Sequence, residues 1–231
     1  MKNILLAILT SFFICGCTAM QEAAAPIATP ASQLNDASKL STLSALKTEL
    51  EALAVNDAKA REGYKPDVVM DQKAMHAMWE KMQILDTANQ LRLDEIVKQH
   101  GWPEKKEVGA KAVYAAFIVV QHSPREYMKR YAPLLQEAME RGDLSKDNFA
   151  MFDDRLRMNC GQPQRYGTQL NTDEKGVRTF WPIEDEANVD KRRAEFGYEP
   201  MAEYAKRYKV LYVPYAERIA REAEAKTEAK K

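Results

Sequence analysis

Polar side chains suited to gripping or transforming a small molecule cluster in three short stretches: Gln121-His122, Asp154-Arg155, and Gln164, Tyr166, Thr168 and Gln169 around Gly167. His122 has the chemistry of a general base or metal ligand, Asp154 is a carboxylate that could orient its ring, and Arg155 can hold a carboxylate or phosphate through two parallel hydrogen bonds. Gly167 lets the backbone turn tightly or approach a neighbour closely, while Tyr166, Thr168, Gln164, Gln169 and Gln121 offer uncharged donors and acceptors. The same residues also suit a buried network in which Asp154 and Arg155 satisfy helix ends and His122 bonds a carbonyl. Adjacent helical residues do not face each other, so Asp154 and Arg155 are expected to meet different partners.

No nucleophile elbow, HExxH, CxxC, phosphate-binding loop or dinucleotide fingerprint occurs, and the three histidines lie far apart in the chain. A thiol-imidazole pair of Cys160 with His122 is conceivable, but a lone cysteine is more often a small buried hydrophobe. Without a recognisable ligand spacing, neither a metal nor a cofactor is assigned.

The order Asp86-x-x-Asn89, Gly101-Trp102-Pro103, Val108-Gly109, Gln121-His122, Asp154-Arg155, Gly161-x-x-Gln164-x-Tyr166-Gly167-Thr168-Gln169 and Pro182-Ile183-x-Asp185 resembles an uncharacterised bacterial domain family of unknown function. Val189-Asp190-x-Arg192-Arg193 and Gly197-x-x-Pro200 with Tyr204 continue the likeness, which spans residues 86–204. It implies one domain with these residues at its polar centre. It implies no reaction.

The elements that must position these residues are mainly helical. Leu40, Leu43, Leu46, Leu50 and Leu53 recur every three or four residues, the stripe of an amphipathic helix starting near Asn35 or Asp36 and a possible partner-binding face. A second helix is expected from about Asp67 to His100 with Met75, Met78, Trp79, Met82 and Leu85 inward. Residues 110–120 (AKAVYAAFIVV) are apolar nearly all round, as in a central buried helix. Ser123-Pro124 reads as an N-cap opening an amphipathic helix to Gly142, and another follows Ser145 with Phe149, Phe152, Leu156 and Met158 inward. Residues 164–170 and 177–183 flank the turn-like NTDEKG as a short β-hairpin. A helix over 188–196 and a last one after Pro200, bearing Tyr204, Tyr208, Leu211 and Tyr212, complete the expectation. The fold class is therefore mainly α, a single compact helical domain with one short β-hairpin.

The N-terminus reads as export and anchoring. Lys2 precedes an apolar run over residues 4–14, too short for a bilayer span of roughly 20 residues and right for a signal peptide. Ile14-Cys15-Gly16-Cys17 resembles the bacterial lipobox, with cleavage before an acylated Cys17. Two or more acyl chains anchor stably at about 0.8 kcal/mol per buried methylene. Thr18, where an inner-membrane lipoprotein of a Gram-negative bacterium usually has Asp, points to the outer membrane. The expected layout is a signal at 1–16, an Ala/Pro/Thr-rich acylated tether at 17–33, a globular domain at 34–222 and a charged tail at 223–231.

Lys plus Arg and Asp plus Glu both number 34, so no bulk field favours nucleic acid. With Cys15 cleaved away and Cys17 acylated, Cys160 has no partner for an internal disulfide, and stability must come from packing. The reading these features favour is an envelope lipoprotein. It would meet the lipid bilayer through acylated Cys17, and its domain would bind a polar small ligand, a cell-wall fragment or a protein. Alternatives are a hydrolase or transferase using His122 as general base with Asp154 and Arg155, and an immunity or inhibitor lipoprotein. Any pocket is expected to be lined by His122, Asp154, Arg155, Gln164, Tyr166 and Gln169. His122 bonded to a carboxylate in a concavity would favour the enzyme.

Overall fold

A computed structural model of the chain describes residues 36–64, 70–173, 176–215, 217–218 and 220–221, with side chains from residue 40 onward. The expected signal at 1–16, Cys17 and the expected tether at 17–33 lie outside these residues.

Eight α-helices and a two-stranded antiparallel sheet form among the described residues: α1 (Asp36–Ala60), α2 (Gln72–His100), α3 (Lys105–Val108), α4 (Ala110–Gln121), α5 (Arg125–Glu140), α6 (Lys146–Asn159), β1 (Leu170–Thr172), β2 (Arg178–Phe180), α7 (Val189–Glu195) and α8 (Met201–Tyr208). The mainly helical class with one hairpin therefore holds. No described helix is long and apolar enough to cross a membrane.

α4 lies at the centre. Ala112, Ala115, Ala116, Phe117 and Val120 are fully buried, and the small alanines let α1 pack closely along it. Leu46, Leu50 and Leu53 of α1 close over α4 with Leu93, Ile96 and Val97 of α2, each full burial being worth about 1.5–3 kcal/mol. That use of the leucine stripe overturns its reading as a partner-binding face, although Leu40, past the packed part, is exposed.

α1 and α2 run antiparallel, cross-linked by Arg61 to Asp86, by Asn89 Nδ2 to the Leu53 carbonyl at 3.2 Å and by Arg92 to Glu49. Extending that register puts Met75 and Trp79 beyond Ala60, the last residue of α1. This is why both are exposed, Trp79 at 60%, and not inward as their spacing predicts. α2 itself starts at Gln72, capped by Asp71 accepting from the Ala74 N–H at 2.9 Å.

Two further expectations are corrected. Ser123 does not cap α5: its Oγ donates back to the Val119 carbonyl at 2.6 Å, and Pro124 stands at the cap. α8 stops at Tyr208, where Lys209 takes a left-handed φ of 55°, and Leu211 is 90% exposed outside any helix.

The hairpin pairs Leu170 with Phe180 and Thr172 with Arg178, and a parallel bridge joins Gln164 to Ile183. Between α6 and β1 the chain makes a compact loop, residues 160–169. Gly167 adopts φ 73°, and a Cβ there would lie 2.4 Å from Met201 Sδ, so any other residue would be strained and would have to push the Met201 side chain aside.

Candidate functional site

On α1 the apolar stripe Leu46, Leu50, Leu53 continues at helical spacing into Asp57 and Ala60, placing a carboxylate where a core hydrophobe would be expected. Asp57 is 6% exposed. Its Oδ1 lies 2.8 Å from His122 Nδ1 at the C-terminal end of α4. The same oxygen accepts from Arg61 Nη1 at 2.8 Å, and Arg61 reaches across to Asp86 of α2 in a bidentate pair at 2.9 and 2.8 Å. The chain of contacts Asp86, Arg61, Asp57, His122 fixes the imidazole by its Nδ1 edge. The His122 side chain stays 21% exposed, and its Nε2 has no partner among the described residues.

Arg155 of α6 faces the same region. Its Nε donates to Gln169 Oε1 at 3.1 Å, and no carboxylate among the described residues pairs with it. Burial, and then the positive charge of Arg61, pull the Arg155 guanidinium below the usual arginine range. Next to His122 in sequence, Gln121 is 2% exposed, and its amide oxygen and nitrogen are both buried with no partner among the described residues. A cation with no paired anion and, next to His122 in sequence, an amide with no hydrogen bond are thus left open among the described residues near the Asp57–Arg61–His122 network.

Asp154 does not touch His122; the carboxylate on that ring is Asp57. Asp154 is fully buried and accepts from the loop: the N–H groups of Arg165 at 2.6 Å, Tyr166 at 3.0 Å and Thr168 at 2.9 Å, and the Thr168 hydroxyl at 2.9 Å. Burial pushes its carboxyl up, and these four donors pull against that. Gln164 is a second internal brace. It donates to the carbonyls of Gln169 and Trp181 at 3.1 and 2.7 Å and accepts from the Gln169 N–H at 2.7 Å. From the far side Arg193, fully buried, donates to the Tyr166 carbonyl and lies over the rings of Tyr198 and Tyr204 at 4.9 and 4.5 Å.

Of the residues expected to line one pocket, Asp154, Gln164 and Gln169 are hydrogen-bonded together with Thr168 as the frame of the loop, Arg155 joins them through Gln169, His122 is held by Asp57 of α1, and Tyr166 lines a cleft against Phe196. Cys160 is a free thiol with no contact to His122 among the described residues. No cluster of three His, Cys, Asp or Glu side chains among those residues is arranged to hold a metal ion.

Over residues 44–214 the chain matches a family of unknown function (DUF6624). It belongs to that family. The DUF6624 match starts within α1, upstream of the 86–204 span of the resemblance, so it takes in Asp57 and Arg61 as well as His122 and Arg155. No curated protein and no solved structure matches the chain.

Sequence reasoning missed Asp57 and Arg61. The available signal was Asp57 in the line of the leucine stripe with Arg61 one turn later, an i,i+4 pair on a helix face that should have been wholly apolar.

Proposed function

We propose that the DUF6624 domain of this chain binds a small anionic ligand, a carboxylate or phosphate, between Arg155 and His122, and that acylated Cys17 holds it on the bacterial envelope, at the outer membrane of a Gram-negative host. The observation that carries the reading is the partly buried Arg155 guanidinium, whose only hydrogen-bond partner among the described residues is the neutral Gln169 amide and which lies within the field of a second guanidinium. Withdrawing an unpaired charge from water costs several kcal/mol even after relaxation. An anion from solution removes that cost and gains charge-assisted hydrogen bonds. Arg61 cannot serve this way, because Asp57 and Asp86 already neutralise it. Gln121 and the free Nε2 edge of His122 supply neutral hydrogen bonds to the remainder of the ligand. In the envelope, peptide carboxylates of cell-wall fragments are ligands of this chemistry.

The test is calorimetric titration of inorganic phosphate and of acetate into the wild type and Arg155→Met. Saturable binding of at least one anion to the wild type, lost in the variant, supports the proposal; equal binding by both proteins, or none to the wild type, ends it.

A second reading is favoured by one specific contact, the 2.8 Å Asp57–His122 pair. A carboxylate on Nδ1 fixes the tautomer that leaves Nε2 as acceptor, the state in which it takes a proton from a water or hydroxyl attacking a bound ester or amide. In this reading the domain is a hydrolase or transferase, and Asp57 performs the orienting role that sequence reasoning gave to Asp154. Asp57→Asn and His122→Asn separate the two. Asp57→Asn leaves a binder's affinity within a few fold and His122→Asn weakens it by the one hydrogen bond of Nε2, whereas an enzyme loses turnover in both.

A further inference from the structure

α6 presents different groups on different sides. At about 100° per residue Asp153 and Arg155 lie roughly 200° apart, so the turn that aims Arg155 at the His122 side aims Asp153 away from it. On that other side is a separate open cleft of about 300 Å³ between α5, α6, the 160–169 loop and α7. Its apolar wall comes from Phe149, Phe196 and Tyr166, the last two with ring centroids 4.7 Å apart.

Three charged groups in this cleft, Asp153, Arg165 and Glu195, have unspent bonding capacity, Glu195 with its carboxylate exposed to water at the end of α7. Asp153 Oδ2 is buried without a hydrogen-bond partner among the described residues, in contrast to its neighbour Asp154, both of whose oxygens are saturated. Burial, and then the adjacent Asp154, push the Asp153 carboxyl up against the opposing pull of the Arg165 and Arg157 charges. Arg165, on the loop, rests its guanidinium 5.7 Å from the Tyr166 ring and pairs with no carboxylate among the described residues. Arg192, also on the wall, is spent: it donates to the Arg165, Glu184 and Asp185 carbonyls and to the Asp185 carboxylate.

We propose that this cleft is a second ligand site and that it takes a free α-amino acid with an apolar side chain, its ammonium on Asp153, its carboxylate on Arg165 and its side chain against Phe149, Tyr166 and Phe196. The class follows from what must be satisfied together. A simple anion leaves the buried Asp153 oxygen unmet, and a simple amine makes no use of Arg165, whose guanidinium otherwise faces water. A zwitterion with both groups on one carbon meets both, and aromatic faces favour an adjacent cation while accepting apolar surface. The volume stands at the small end of the range for small-molecule sites, which suits an amino acid and excludes a long oligomer.

The test titrates L-phenylalanine into the purified full-length chain in detergent, by calorimetry and up to millimolar concentration. Phenethylamine and 3-phenylpropanoate, each lacking one of the two charged groups, are run alongside. Saturable binding of L-phenylalanine is expected, with each half-ligand and each of Asp153→Asn and Arg165→Gln weaker by at least about tenfold. Arg165 is exposed, so its variant keeps the test open even where Asp153→Asn folds poorly. No saturable binding of L-phenylalanine, or undiminished binding in both variants, overturns the proposal. Arg155→Met distinguishes this site from the anion site: L-phenylalanine binding must survive it, and a loss there reassigns the ligand to Arg155 and overturns the second site.

Discussion

Replacing Asp154 with alanine tests the claim that this carboxylate is the loop's frame and not a partner of His122. The substitution removes the acceptor for three backbone N–H groups and one hydroxyl, at a side chain with no solvent exposure. A hydrogen bond contributes about 1 kcal/mol net, more when the acceptor is charged, and a donor left buried and unpaired costs about 1–3 kcal/mol. Four donors losing one acceptor therefore cost on the order of 4 kcal/mol, which for a domain of this size lowers the thermal midpoint by about 10 °C. Asp154→Asn keeps the shape and one accepting oxygen but turns an NH2 group towards N–H donors, so its loss should approach that of alanine. Calorimetry gives the midpoint, and amide exchange at Tyr166 and Thr168 shows whether the loop opens first. A fall of less than about 3 °C in Asp154→Ala, with exchange at those amides unchanged, would refute the reasoning.

Further outcomes follow from the same geometry. Gly167→Ala, at φ 73° with Met201 Sδ 2.4 Å from the new Cβ, should lower urea stability by at least about 1–3 kcal/mol. Gly167→Ala with Met201→Ala should recover only the steric part. Asp153 has a folded-state pKa raised by burial above the unfolded value of about 3.9, so the native state holds the extra proton and loses stability as pH rises through that window. Asp153→Asn should therefore exceed the wild type in urea midpoint at pH 7 and match it near pH 4, and the opposite slope would show the carboxylate to be favourably paired. Asp57→Ala leaves Arg61 on Asp86 but strips His122 of its partner, so the imidazole Nδ1 proton should exchange faster in nitrogen-detected NMR; an unchanged signal would mean that Asp57 does not hold the ring. Cys17→Ser should move the protein from the membrane to the soluble periplasmic fraction, and retention at the membrane would remove the lipid anchor from the account.

Much of the architecture was legible because it rests on local periodicity. Residues 110–120 are apolar all round and form the buried α4, and the hairpin follows the change from helical to extended patterning. Met75 and Trp79 misled because periodicity reports which face of a helix is apolar but not how far its partner extends, and α1 ends before reaching them. The site was half legible. Gln121, His122, Arg155 and Gln169 advertised themselves as polar groups beside apolar or glycine-rich chain. Asp57 lies 65 residues from His122, and only the packing of α1 along α4, which sets the C-terminal ends of the two helices together, brings the carboxylate to the ring. Asp154 shows the converse: a charge next to Arg155 in sequence reads as part of one site, while the helix turns the two residues towards different neighbours.

The central claim is that Arg155 is kept unpaired for an incoming anion, and the thermal midpoint of the wild type and Arg155→Met, each with and without phosphate or acetate, tests it most directly. The account predicts a variant that melts higher than the wild type in anion-free buffer, because an uncompensated charge is gone, and that ignores added anion. The wild-type midpoint should climb with the logarithm of anion concentration. A variant that melts lower in anion-free buffer, beside a wild type unmoved by either anion, would contradict it and make Arg155 a structural brace for Gln169.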